Sequence, residues 1–117
     1  MDRSGSWKPS PAEYSEVHKL AEEVGATRGC TVTCRPLADA HGWAFDAPKV
    51  IAYPLWQPRN PRLQIQVEEK RAKNAGVSHL AEKRDGKGYH RRPAVYWYVS
   101  QGDAAKRKEV AAILAKL

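Results

Sequence analysis

Apolar residues at Tyr14, Val17, Leu20, Ala21 and Val24 recur at the spacing of one helix face. Ahead of them Ser10 is a good N-cap, Pro11 suits the first helical position and Glu13 completes a capping box. Gly25 is a suitable stop, so a helix is expected over about 11–24. The alternation of Leu63, Ile65 and Val67 with Gln64, Gln66 and Glu68 has the period of two of a half-buried strand. "AVYWYVS", Ala94–Ser100, alternates in the same way, with Val95, Trp97 and Val99 on one side and Tyr96 and Tyr98 on the other. Asp103 caps a last helix whose buried face is Val110, Ile113, Leu114 and Leu117.

The remaining segments carry weaker patterns. Cys30–Cys34 is short and β-branched, which suits a strand. Val50, Ile51, Ala52, Tyr53 and Leu55 read as a strand buried on both faces, with Pro54 placing its end or a sheet edge there. "QPRNPR" is a turn, residues 69–84 suit a short or broken helix, and "RDGKGYHRRP" is a glycine-rich basic loop. The expectation is an α+β fold with a small mixed sheet of about four strands, in the order α-β-β-β-α-β-α. Residues 1–9 are expected as a tail and 10–117 as one globular domain.

Charge adds a direction to this outline. The net is +7, and it is unevenly placed: residues 59–92 hold ten basic and four acidic side chains, whereas residues 1–58 hold six and seven. A localised excess of cations is the footprint of a polyanion partner. DNA or RNA is the first expectation, and an acidic protein surface bound by a small inhibitor or adaptor is the rival. No apolar run reaches the roughly 20 residues of a membrane span, and the start has no apolar signal region, so a cytoplasmic protein with no membrane partner is expected. Cys30 and Cys34, four residues apart on one strand, would stand about 13 Å apart, too far for a disulfide. With His18, His41, His79 and His90 scattered, zinc is not expected.

"VEEKR" raises the one catalytic possibility. On a strand Glu68 and Lys70 would share a face. A hairpin pairing Leu55 with Leu63 would bring Asp46 to that face, while a slip of one residue would take it away. Two carboxylates can hold a divalent cation that activates water, with a lysine to meet the developing charge. The element order, with Asp46 entering one strand and Glu68-x-Lys70 on the next, resembles the PD-(D/E)xK nuclease superfamily. The resemblance implies Asp46 and Glu68 as Mg2+ ligands, Lys70 as the catalytic lysine, and an assisting glutamate from Glu13 or Glu16. Phe45 stands where the family's proline would precede Asp46. Without such chemistry, Glu68 and Lys70 are the solvated end of a strand.

Binding residues are expected mainly in the second half of the chain. Arg59, Arg62, Lys83, Arg84, Lys87, Arg91 and Arg92 offer phosphate grips, with Tyr89 after two glycines as a stacking group. Lys106 and Arg107 start the last helix, where a bound phosphate would offset their unfavourable placement near the positive dipole end. Tyr96 and Tyr98 are either packed under a helix or form a stacking platform on an open sheet face. Trp7 is a candidate for docking on a partner protein. A nucleic-acid-binding domain is the leading reading, ahead of the nuclease and the adaptor.

Overall fold

The structure, a computed structural model, describes residues 10–37, 42–87 and 91–117. The elements run α1 (Pro11–Arg28), β1 (Thr33–Pro36), β2 (Trp43–Asp46), β3 (Val50–Gln57), β4 (Arg62–Glu68), α2 (Glu69–Asn74), β5 (Lys83–Asp85), β6 (Ala94–Ser100) and α3 (Ala104–Leu114). The expected tail, Trp7 and Tyr89 lie outside the described residues.

The α+β class holds, but the sheet has six strands, not about four, and it is antiparallel throughout, not mixed. Its order is β1-β2-β3-β4-β6-β5. The first four strands form a meander, and β6 returns beside β4 with β5 at its outer edge. β5 was expected as the end of the short or broken helix and the start of the basic loop: Lys83, Arg84 and Asp85 are all exposed and have no apolar alternation, so only pairing with β6 makes them a strand. β1 starts three residues later than expected, which leaves Cys30 exposed ahead of the strand and Cys34 half-buried within it.

The start of α1 follows its sequence signals, with Ser10 Oγ accepting from the Glu13 amide at 3.2 Å. The helix then passes through Gly25 and ends at Gly29, whose φ of 79° is the left-handed conformation glycine tolerates. Gly25 serves another purpose: a Cβ there would stand 2.6 Å from the Cys30 carbonyl oxygen, where the chain turns back over the helix.

All three helices send buried residues to one side of the sheet. Val17, Leu20 and Val24 of α1, Ala72 of α2, and Val110 and Leu114 of α3 meet Leu63, Ile65, Val67, Val95, Trp97 and Val99 in one core. No helix among the described residues packs on the other side. Trp43 Nε1 donates to buried Glu13 Oε2 at 2.7 Å, which ties β2 to α1.

The β3–β4 hairpin differs by one residue from the pairing that apolar matching favours. Trp56 pairs with Leu63, Leu55 with Gln64 and Tyr53 with Gln66. The expected register would have paired Pro61, which has no N–H, with Gln57; the observed one pairs Gln57 with Arg62 and leaves Pro61 in the turn. Pro54 lies inside an interior strand, contrary to the edge expected. The β2–β3 contacts fall at Phe45–Ala52 and Gly42–Leu55, on either side of it.

Candidate nucleic-acid interface

β4 ends at Glu68, and the chain enters α2 at the next residue. Lys70 is therefore helical and does not share a strand face with Glu68, as the catalytic reading required. Phe45 pairs with Ala52 and Asp46 with Val50, so Ile51 is the extra residue of a bulge. Asp46 points away from the core and accepts from Arg35 Nε at 3.0 Å. Glu68 lies 3.7 Å from Arg92 Nη1. Each carboxylate thus faces an arginine. Both act on the Tyr53 hydroxyl, whose pKa is raised first by burial and then by Asp46 and Glu68, against a lowering influence of Arg35. Among the described residues no three His, Cys, Asp or Glu side chains converge as a metal site.

Around Glu68 the surface is cationic. Glu68 lines three adjoining depressions. Arg71 and Arg92 border the first, Lys70, Arg71 and Lys116 the second, and Lys70, Lys73 and Arg92 the third. Five cationic side chains therefore surround two acidic ones, Glu68 and Glu69. Arg71 Nη1 donates to the main-chain oxygen of Leu117 at 2.9 Å, which brings Lys116 beside α2. Lys73 pairs with Glu69 at 3.2 Å, but in this pair and in Arg92–Glu68 the cation is largely exposed, so both are weak. Arg71, Lys73 and Lys116 were not among the expected binding residues. The charged run "EEKRAKN" was visible in the sequence, but Lys116 joins it only through the fold.

The expected phosphate grips divide into two groups. Lys106 donates to Glu82 at 2.9 Å, and Arg107, only 12% exposed, is held by Glu23 at 3.2 Å and Glu16 at 4.0 Å. Arg84 donates through Nη1 to Ser78 Oγ and through Nη2 to the Ser78 carbonyl, which ties β5 to the turn before it. These three are engaged within the molecule. Arg59, Lys87 and Arg91 are exposed, and Arg62 and Lys83 lie against tyrosine rings. Arg59 and Arg62 stand at the hairpin end of β4, about 20 Å along the strand from Glu68 and Arg92. The cations therefore lie along the sheet and do not form one compact cluster.

The face on which no described helix packs has its own order. Strand register places Tyr53, Gln66, Tyr96 and Lys83 in one row across β3, β4, β6 and β5. Leu55, Gln64 and Tyr98 form the next row, and Gln57, Arg62 and Ser100 the third. These rows contain no carboxylate; Glu68, Asp85 and Asp46 are grouped at the α2 end. The Arg62 guanidinium lies 4.0 Å from the Tyr98 ring centroid, and Lys83 Nζ 5.7 Å from that of Tyr96. Gln64 donates to the Tyr98 hydroxyl at 3.2 Å, and the Tyr96 hydroxyl donates to Gln66 at 3.3 Å. Tyr96 is only 6% exposed, whereas Tyr53 and Tyr98 are half-buried. Both Tyr96 and Tyr98 lie on the face where no described helix packs, but Tyr96 is buried there and only Tyr98 is partly open.

Compared with known proteins, the chain matches no family model, no curated sequence and no solved structure. No helix among the described residues is long and apolar enough to cross a membrane.

Proposed function

We propose that the protein binds nucleic acid through the phosphate backbone, held at the α2 end of the sheet. The observation that carries this reading is the grouping of Lys70, Arg71, Lys73, Arg92 and Lys116 around adjoining depressions whose acidic side chains are Glu68 and Glu69. Lysines act there as point charges, and Arg92, whose side chain is 69% exposed, can turn from Glu68 to grip a phosphate with two donors. Such contacts release counterions, so affinity falls steeply with salt.

Fluorescence anisotropy with labelled DNA and RNA oligonucleotides, titrated across a range of salt, tests this. The expected result is binding at low salt that weakens linearly on logarithmic axes. Each cation removed, as in Lys70→Gln or Arg92→Gln, lowers the slope by about 0.7–0.9. Absence of binding at low salt sinks the reading. Retention of a protein partner after nuclease treatment, with no nucleic-acid affinity, would favour the acidic-surface adaptor instead.

A further inference from the structure

We infer that the nucleic acid taken is single-stranded, with unpaired bases laid beside Tyr98, Arg62 and Tyr53 on the face of the sheet where no described helix packs. This rests on the phosphate-binding reading above and names its substrate class. The outward side of a sheet in water is commonly a mixture of both charges. Here the three rows from the hairpin end to Tyr53 offer aromatic rings, amides and cations, and no carboxylate. That composition is complementary to a polyanion that also presents flat π-surfaces.

A duplex hides those surfaces inside its stack, whereas a single strand exposes them. The Arg62 guanidinium over the Tyr98 ring extends the stacking surface, because bases pile on arginine planes as well as on rings. Gln64 and Gln66 supply donors and acceptors beside the rings for base edges. From Arg62 the face leads along β4 to Glu68 and the cations around it, so a strand stacked at Tyr98 can reach the phosphate site with its backbone.

The test compares a labelled single strand of mixed sequence with its duplex by anisotropy. The proteins are wild type, Tyr98→Ala, Tyr98→Phe and the double variant Lys70→Gln/Arg92→Gln. Wild type is expected to prefer the single strand. Tyr98→Ala is expected to weaken single-strand binding on the order of tenfold while Tyr98→Phe retains it. A second measurement needs no variant and so is independent of folding defects: photo-cross-linking of a single strand containing iodouracil to wild type, with adducts expected at Tyr98 or Tyr53. Equal or tighter binding of the duplex, or adducts confined to α2, overturns the inference while the phosphate site stands. No binding of either form at low salt removes both.

Discussion

Arg107 on α3 donates from Nε to Glu23 Oε1 on α1 at 3.2 Å, and its Nη1 lies 4.0 Å from Glu16. A side chain that sequence position offers to phosphate thus clamps two helices together. Glu23 Oε2 is buried without a hydrogen-bond partner, so the carboxylate depends on this arginine. Arg107→Ala is expected to destabilise the fold by about 3 kcal/mol, the lower part of the range for breaking a buried pair. Urea unfolding measures the loss. Nucleic-acid affinity of the folded variant should stay close to wild type, and a drop comparable to that of Arg92→Gln would return Arg107 to the binding surface.

Gly25→Ala tests how the chain folds back over α1. Alanine inside a helix is ordinarily better than glycine by about 1 kcal/mol. Here the added Cβ would meet the Cys30 backbone oxygen at 2.6 Å, so the sign reverses. A loss of roughly 1–3 kcal/mol is expected, as for overpacking. A higher melting temperature for the variant would refute the close approach.

Cys34 gives the stability a dependence on alkaline pH. Burial, followed by the charge of Glu22, pushes its thiol from 9.0 up to about 11. The folded state therefore holds this proton more tightly than the unfolded chain does. The contribution is present in full below pH 9 and is lost as pH rises from 9 to 11. The gap in urea midpoint between wild type and Cys34→Ala should narrow or invert across that window; the raised tyrosines, common to both proteins, cancel. At pH 8 the exposed Cys30 is expected to react with a thiol reagent well before Cys34.

Glu68→Gln separates binding from catalysis. Glu68 is an anion among five cations, so its neutralisation is expected to raise nucleic-acid affinity about two- to fivefold at low salt, and less as salt screens the site. A nuclease using Asp46 and Glu68 would instead lose magnesium-dependent cutting in this variant. Incubation of wild type and variant with plasmid and single strands, with and without magnesium, reads both. Cutting by wild type that the variant lacks would restore the catalytic reading.

Much of the fold was legible wherever a pattern repeats within one element. Leu63, Ile65 and Val67 are wholly buried, as are Val95 and Val99, because period two assigns a face without reference to the rest of the chain. The candidate site was less legible. The excess charge over 59–92 is plain, but its division is not: Arg92 and Lys70 face solvent near the phosphate site, whereas Arg84, and Arg107 beyond that stretch, are tied to partners of the same molecule. Nothing adjacent in sequence marks which arginines find partners within the molecule, because those partners are six to 91 positions away.

Local patterns, set by side-chain period and cap chemistry, were enough to define α1 from its start, β4, β6 and α3. Tertiary structure alone decided that Lys83–Asp85 becomes a strand, that Tyr53 pairs with Gln66, that Lys70 turns into a helix and that all three helices take one side of the sheet. The reason is physical: amphipathic period is a property of neighbours along the chain. Edge pairing, register and ion pairing are contacts between distant segments, and their energy exists only once the chain has folded.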